Sequence, residues 1–309
     1  MGIDTKIEWC DHTFNPWMGC AKIHTGCLNC YAESLMDKRL GKVEWGEHGV
    51  RVKTSSDNWK AVERINRKAS EAGRSESVFC ASLADVFETR SDLDPWRREL
   101  WELIERCDSL EWLLLTKRPE NIRKMLPRSL YRRVWLGTSV STADTFNEFG
   151  ERLVQCQDIG AGLFLSAEPL LGPLPRHSPV WREVDWIIVG GESGNGARLC
   201  HVEHIEGVIA LGKTYEKPVF VKQLGSRAVI GYYYEPCDVR EWALDDCRRI
   251  LQYVGRGQYV EWDHRTFGQP HPKSVAEINL RHGKGGDVSE WPRHLQVRQK
   301  PKALEVAWV

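Results

Sequence analysis

Three cysteines follow one another closely in the stretch NPWMGCAKIHTGCLNCYAE, which spans residues 15–33. They are Cys20, Cys27 and Cys30, with the spacing Cys-x6-Cys-x2-Cys. A structural zinc ion needs four protein ligands. Three thiolates can instead bind three irons of a [4Fe–4S] cluster and leave the fourth iron open. Because an open iron can bind a small molecule, the spacing favours a catalytic iron–sulfur site over a structural zinc site.

Two further side chains could close the site by supplying a fourth ligand. His24 lies between the first two cysteines, and Cys10 precedes all three. With either residue the metal would be structural, as a zinc ion or a saturated cluster. A loop without any metal is the remaining interpretation of this stretch.

The composition limits the partners and the compartment. The 309 residues carry 43 Lys and Arg against 43 Asp and Glu, so an anionic partner must be met by local basic patches. No apolar run is long enough to span a bilayer, and the N-terminal stretch MGIDTKIEW has no apolar signal core. We therefore expect a cytoplasmic protein that makes no membrane contact. Its dispersed cysteines are expected to be buried, reduced thiols: Cys10, Cys80, Cys107, Cys156, Cys200, Cys237 and Cys247.

Short apolar runs alternate with helical stretches over most of the chain. Continuous apolar runs are typical of parallel strands that are buried on both faces. A first strand is expected around 12–18, and further runs span 77–83, 111–117, 133–141, 162–170, 184–194 and 217–225. The sequence therefore predicts an α/β fold, a partial (β/α) barrel of six or seven largely parallel strands.

Two segments lie outside this alternation. Residues 41–76 form a polar insertion, in which the stretch SDNWKAVERINRKASEAG predicts a helix capped by Ser56 or Asp57. Residues 226–309 form a basic, Trp-containing C-terminal extension. We accordingly divide the chain into a barrel over residues 1–225 and an extension over residues 226–309.

Polar residues and glycines follow the predicted strands, where a (β/α) barrel places its chemistry. Glu168 and Glu192 could accept from an ammonium group or a ribose hydroxyl, or could act as acid and base in a non-radical enzyme. The stretch GGESGNGAR, residues 190–198, would let a ligand approach the backbone closely. The predicted cofactor-binding residues are Ser82, Thr116, Lys117, Ser139, Glu168, Gly190, Gly191, Glu192 and Lys222.

A cysteine triplet directly after the first strand of such a barrel resembles the radical S-adenosylmethionine (SAM) superfamily. The chain is more closely similar to a phage-encoded branch of uncharacterised proteins, with which it shares the cysteine stretch and the motifs LTKRP, SAEPLLGP and VGGESG. The superfamily's usual triplet is Cys-x3-Cys-x2-Cys, so the first gap is longer here. The resemblance implies that SAM binds the open iron of a [4Fe–4S] cluster held by Cys20, Cys27 and Cys30. It also implies reductive cleavage to a 5′-deoxyadenosyl radical, with an electron from a reductant such as flavodoxin or ferredoxin.

Two basic stretches, 117–133 and 281–302, predict contacts with nucleic acid, or else solvated helix faces. Trp135, Trp291 and the run GYYYE at 231–235 offer aromatic rings on which bases can stack. The predicted contact residues are Arg118, Arg123, Lys124, Arg128, Lys284, Arg293 and Arg298. A more distant resemblance to spore photoproduct lyases, which work on DNA, agrees with this. The sequence thus predicts a radical SAM-like enzyme that acts on DNA, RNA or a nucleotide. The alternative is a nucleic-acid-binding protein with a structural metal and no catalysis.

Overall fold

The computed structural model describes residues 5, 7–230, 250–255, 258–262, 276–278 and 280–304. Cys237, Cys247 and the aromatic run at 231–235 lie outside these residues. The strands in chain order are β1 His12–Thr13, β2 Trp17–Met18, β3 Val52–Lys53, β4 Glu76–Cys80, β5 Leu110–Thr116, β6 Val134–Ser139, β7 Gly162–Ala167, β8 Trp186–Gly190, β9 Cys200–His201, β10 Val219–Gln223, β11 Ala228–Ile230, β12 Ile250–Gly255, β13 Gln258–Trp262 and β14 Ala276–Glu277.

The helices lie mainly between the strands. In chain order they are α1 Tyr31–Glu33, α2 Ser56–Glu71, α3 Asp94–Arg106, α4 Ile122–Met125, α5 Ala143–Thr145, α6 Glu151–Val154, α7 Val180–Glu183 and α8 Val202–Thr214. A π-helical turn continues α1 over Ser34–Arg39, and a second joins α5 to α6 over Phe146–Gly150. Within the described ranges, no helix is long and apolar enough to cross a membrane.

Seven parallel strands form one curled sheet in the order β1-β4-β5-β6-β7-β8-β10. Each new strand is added beside its predecessor, with α3 between β4 and β5 and α8 between β8 and β10. This progression is that of a (β/α) barrel, and the described edge strands β1 and β10 do not pair with each other. The predicted partial barrel is therefore confirmed as a half-barrel.

Both faces of the sheet are apolar, because successive side chains of a strand point to opposite faces. One cluster lies against the helices and contains Val78, Leu114, Leu136 and Val189 with residues of α2, α3 and α8. The second cluster fills the concave face and is largely aromatic: Trp9, Cys10, Phe79, Leu113, Trp135, Phe164, Trp186, Ile188 and Phe220. The continuous apolar runs in the sequence follow from this burial on both sides.

Two strand glycines make room for the aromatic cluster. A Cβ atom at Gly137 would lie 2.3 Å from Cζ of Phe164, and one at Gly162 would lie 2.4 Å from Cζ3 of Trp135. Real Cβ atoms do not approach other atoms so closely. Each glycine therefore lets a ring of the neighbouring strand lie flat across the sheet.

The insertion and the C-terminal region both pack on the barrel. In the insertion, α2 begins at Ser56 and its N-cap is Ser55. The predicted caps, Ser56 and Asp57, instead lie in the first turn of the helix. Residues 297–299 run along the outer edge of β10, where Val221 N–H donates to Val297 O at 2.8 Å and Gln299 N–H donates to Val219 O at 2.8 Å. These bonds cover an edge that would otherwise expose unpaired backbone groups.

Candidate metal and cofactor site

The cysteine loop, residues 20–30, lies over the carboxyl ends of the strands. A parallel bridge joins Gly19 to Ala84, and Gly19 N–H donates to Leu83 O at 3.0 Å, just beyond the end of β4. Tyr31, which follows the loop, donates its hydroxyl to Ser82 O at 2.7 Å. Both ends of the loop are thus fixed to the segment that follows β4, at the rim where a barrel carries its chemistry.

The thiols of the loop differ in exposure, and no described cysteine forms a disulfide. Cys27 is buried, whereas Cys20 and Cys30 are partly exposed. Burial raises the pKa of the Cys20 thiol to about 12, and the nearby Asp85 carboxylate adds to this effect while Arg118 opposes it. Without a bound metal, Cys20 is therefore a neutral thiol at physiological pH. The expected burial of Cys10, Cys80, Cys107, Cys156 and Cys200 is confirmed.

A buried arginine holds the first part of the loop. Arg118, only 8% exposed, follows β5 and donates to Ala21 O at 2.9 Å, and its Nη1 lies 3.7 Å from Cys20 Sγ. The Arg118 guanidinium is itself fixed by Asp85 at 3.0 Å. Asp85 also accepts from the Thr116 hydroxyl at 2.7 Å, so the ends of β4 and β5 share one carboxylate. The arrangement places a cation beside Cys20.

A buried carboxylate holds the second part of the loop. Glu192 follows β8, is 6% exposed, and accepts from Arg198 Nε at 2.9 Å and Nη2 at 2.5 Å. Glu192 also accepts from Asn29 Nδ2 at 3.0 Å, between Cys27 and Cys30. Arg198 in turn donates to Thr25 O at 2.9 Å. Burial raises the pKa of Glu192, but the hydrogen bonds from Arg198 and Asn29 outweigh it and lower the pKa below its usual value.

The two predicted fourth ligands, Cys10 and His24, are each engaged in other contacts. Cys10 packs in the aromatic cluster of the concave face, and its Sγ donates to Ile7 O at 3.6 Å. His24 accepts from Gly26 N–H through Nδ1 at 3.0 Å. Burial, aided by the charges of Lys117 and Arg198, lowers the pKa of His24 to about 4, so its neutral ring carries the proton on Nε2.

Beyond the aromatic cluster, the concave face ends in polar side chains and a glycine at the carboxyl ends of the strands. We call this open end of the half-barrel the mouth. By strand alternation, Ser139, Ser166, Gly190 and Lys222 lie on that face beyond Trp135, Phe164, Ile188 and Phe220. Lys222 Nζ lies 3.0 Å from Glu168 Oε1, and the Ser166 hydroxyl donates to Glu168 Oε2 at 3.4 Å. The mouth therefore contains a half-buried ion pair that could meet a polar ligand.

The structure brings most of the predicted cofactor residues to this rim, in different roles. Ser82 and Thr116 hydrogen-bond to neighbouring rim residues, and Glu192 is fully engaged with the cysteine loop. A Cβ atom at Gly191 would lie 2.2 Å from Leu224 O, so this glycine allows close approach of the chain after β10. The residues that face the mouth are Ser139, Glu168, Gly190 and Lys222.

The sequence interpretation missed Asn29, Arg198 and Asp85 as residues that hold the loop. Asn29 stands between two cysteines, and Arg198 ends the stretch GGESGNGAR, so each adjoins a motif that was recognised. Asn29 bonds to Glu192 and Arg198 bonds to Thr25, and both pairs are far apart in sequence. Sequence spacing alone could not predict these two contacts. Asp85 was noticeable only as a polar residue after a strand.

Zinc and an iron–sulfur cluster require different arrangements of the three cysteine thiols. Among the described residues, no three His, Cys, Asp or Glu side chains lie together as ligands of one metal ion. A zinc ion needs its cysteine sulfurs about 2.3 Å from a single point. In an iron–sulfur cluster each cysteine binds a different iron, which keeps the sulfurs apart. Three thiols on one loop that is fixed at the rim fit that group in type and number.

The predicted nucleic-acid residues are spread over several surfaces. Arg118 is buried against Asp85 and Cys20, so its guanidinium is already occupied. Arg123 is exposed on α4 and pairs with Asp158. Lys124, Arg128, Lys284 and Arg293 are exposed. Arg298 is half-buried, pairs with Glu8 at 2.7 Å and stacks on Phe220, with its guanidinium carbon 5.2 Å from the ring centre.

The fold and the rim define a half-barrel protein whose cysteine loop is held over the carboxyl ends of the strands. The chain belongs to the family described as "Protein of unknown function (DUF5131)", whose model matches residues 4–272. No curated protein matches its sequence.

The solved structures that it resembles include mutants of spore photoproduct lyase. One has a TM-score of 0.42 at 12% identity and covers 84% of this chain and 71% of that chain. Another has a TM-score of 0.40 at 13% identity, with 85% and 71% covered. A third, with bound AdoMet and dinucleoside spore photoproduct, has a TM-score of 0.40 at 12% identity, with 84% and 70% covered.

Proposed function

We propose that the protein is a radical SAM-like enzyme that binds a [4Fe–4S] cluster through Cys20, Cys27 and Cys30. The observation that carries this proposal is the three-cysteine loop held at the rim by Arg118 and Glu192, with Cys10 bonded to Ile7 O and His24 bonded to Gly26 N–H. A site with three protein ligands leaves one iron for a small molecule. We propose SAM as that molecule, because the cysteine triplet after the first strand resembles that of the radical SAM superfamily.

When bound and reduced, the cluster would supply the electron that cleaves SAM to a 5′-deoxyadenosyl radical. The protein's own residues bind and orient the reactants. Arg118 places positive charge beside Cys20, which favours the thiolate needed for metal binding. Glu168 and Lys222 can offer an acceptor and a donor to polar groups of a ligand at the mouth. The aromatic cluster closes the barrel beneath the mouth and excludes water from that side.

We propose DNA, RNA or a nucleotide as the substrate class, with repair or modification as the outcome. The support is the set of basic residues that remain exposed, among them Lys124, Arg128, Lys284 and Arg293. Such residues neutralise phosphates and contribute salt-dependent affinity. Flavodoxin or ferredoxin is proposed as the reductant, and the protein is proposed to act in the cytoplasm.

Anaerobic reconstitution followed by a SAM-cleavage assay tests the proposed reaction. The protein reduced with dithionite in the presence of SAM is expected to release 5′-deoxyadenosine. Glu168→Gln, which removes the charge at the mouth but no cysteine, should keep its iron and form less product. Iron-loaded protein that never cleaves SAM would reject the radical reaction and leave a nucleic-acid-binding protein with a structural cluster.

A further inference from the structure

The exposed hydrophobic residues of the described chain gather around the cysteine loop. Ile23, Leu28, Tyr31 and Leu40 are 41%, 60%, 52% and 45% exposed, and Leu199 is 37% exposed. The remaining large hydrophobic residue that is exposed, Val50, lies in the adjoining insertion. Single exposed hydrophobic residues are normal on a surface, but their concentration in one region marks an interaction site.

Hydrogen bonds join the segments that carry these residues into one surface. Asn29 Nδ2 donates to Gly196 O at 3.0 Å, which ties the segment of Leu199 to the loop beside Leu28. Lys22 Nζ donates to Leu28 O at 3.1 Å and pairs with Glu33 at 2.5 Å, which ties the loop to the helix after Tyr31. We name this surface, formed by Ile23, Leu28, Tyr31, Leu40 and Leu199, the cysteine-loop face.

The charges around the cysteine-loop face favour an anionic partner. Residues 20–42 contain two carboxylates, and both are engaged: Glu33 pairs with Lys22 and Lys38, and Asp37 accepts from Trp45 N–H at 2.8 Å. Among the described residues, Arg39, Lys42 and Lys117 form no ion pair. Within the stretch 117–133, to which Lys117 belongs, Arg123 is neutralised by Asp158 and Arg118 is buried. Unpaired cations therefore lie around the apolar residues, in addition to exposed cations elsewhere such as Lys124 and Arg128.

A cavity beside the face has room for a nucleotide unit. It has a volume of about 510 Å³ and lies between Ala21–Ile23 of the loop and Trp45–Glu47 of the insertion. Trp45 offers an aromatic ring at its wall, where Lys22 pairs with Glu33 and Arg90 pairs with Asp92. Glu47 and Glu88 also line the cavity, so its cations are largely balanced by carboxylates. Bases that leave the stack are held by aromatic and apolar side chains in such pockets, while cations meet their phosphates.

We propose that the cysteine-loop face is the surface that receives nucleic acid, with unstacked bases against Leu28 and Tyr31 and phosphates against Arg39, Lys42 and Lys117. The proposal rests on the proposed function for its substrate class, and it centres the interface on the rim, where Lys117 joins it from the basic stretch 117–133. Because Leu28 follows Cys27 directly, a base bound there would lie next to the candidate cluster.

Binding of a fluorescein-labelled single-stranded DNA oligonucleotide, followed by fluorescence anisotropy with the iron-loaded protein, tests this placement. Leu28→Ala is expected to raise the Kd about tenfold, because burial of a leucine side chain against a base contributes on that scale, and Leu28→Met should restore most of it. Arg39→Ala should reduce the slope of log Kd against log salt concentration by about one phosphate contact. Lys213→Ala, which removes an exposed cation in the last turn of α8, is the matched control and should change the Kd less than twofold.

Three outcomes would overturn the proposal. The first is a wild-type protein that does not bind the oligonucleotide. The second is a Lys213→Ala protein that loses as much affinity as the face variants. The third is a Leu28→Ala protein with unchanged oligonucleotide affinity but slower cluster reduction by flavodoxin, which would make the face a protein-docking surface. The binding assay contains neither SAM nor reductant, so it does not depend on the proposed reaction. A protein that binds DNA at this face but does not cleave SAM would contradict the proposed reaction and still support this inference.

Discussion

Glu192 shows how one buried side chain can organise a site that it need not touch. The sequence favours a ligand-binding role, because the carboxylate follows a Gly-Gly pair at a strand end. In the structure Glu192 instead joins Asn29, inside the cysteine loop, to Arg198, which follows β8. Its contribution is therefore the position of the loop. The effect of Glu192 on the cysteine loop should therefore be measurable in the metal-free protein.

Substituting Glu192→Gln should loosen the cysteine loop. Hydrogen bonds to a charged, buried group contribute about 1.5–3 kcal/mol each, and the neutral amide would leave Arg198 without its counter-charge. We expect about 2 kcal/mol lower stability in urea unfolding and faster amide hydrogen exchange over residues 20–30 of the metal-free protein. Glu120→Gln, which removes an exposed pair with Arg152, is the control and should change stability by less than about 1 kcal/mol. Unchanged exchange in Glu192→Gln would refute the positioning role.

His204 makes stability depend on pH at the first turn of α8. Burial, with a contribution from His201, lowers the pKa of His204 to about 4, whereas an unfolded histidine titrates near 6.5. The unfolded chain therefore takes up a proton below pH 6.5 that the folded chain refuses until about pH 4. The stabilisation is complete above pH 6.5 and is lost as the pH falls towards 4.

Urea unfolding at pH 7 and pH 5 measures this effect. The wild-type protein should lose roughly 2 kcal/mol through His204 between these values. In His204→Gln that part of the loss should disappear, whatever the variant's stability at pH 7. An equal loss in both proteins would show that His204 does not titrate in this way.

At the scale of elements, the strands of the half-barrel depend on close packing across the concave face. Gly137→Ala would drive a methyl group into the ring of Phe164, and overpacking of a core typically costs about 1–3 kcal/mol. We expect a lower midpoint in thermal unfolding. Gly207→Ala is the matched control, because Gly207 lies within α8 with open space around it and alanine is the better helix former. A Gly137→Ala protein as stable as the wild type would contradict the tight fit of this layer.

The sequence was most informative for those elements that have a local signal. Runs such as EWLLLTK and VDWIIVGG predicted β5 and β8 because their apolar residues are continuous, and α2 and α3 follow from helical periodicity. Two short helices were harder to predict, because α5 and α6 are joined by a π-helical turn over Phe146–Gly150 that breaks the helical period. The partners of the rim residues were not predictable. Asn29 and Glu192 are far apart in sequence, so only the folded sheet brings them together.

At the scale of the whole molecule, the C-terminal region packs along the open side of the half-barrel. Residues 297–299 pair with β10, Arg298 reaches Glu8 at 2.7 Å, and Ile7 and Leu304 both pack against the aromatic cluster. The chain before β1 and the chain after residue 297 therefore meet across the open side of the half-barrel. The predicted division at residue 225 remains a prediction, although these contacts bind the two regions closely.

The whole account depends on one feature, a cluster with three cysteine ligands and an open iron. Iron and sulfide should be quantified in anaerobically reconstituted wild-type protein and in Cys27→Ala and Cys10→Ala, each tested for folding by circular dichroism. We predict about four irons and four sulfides in the wild type and in Cys10→Ala, and loss of the cluster in folded Cys27→Ala. Loss of metal in Cys10→Ala, or zinc in place of iron in the wild type, would contradict an open cluster on Cys20, Cys27 and Cys30.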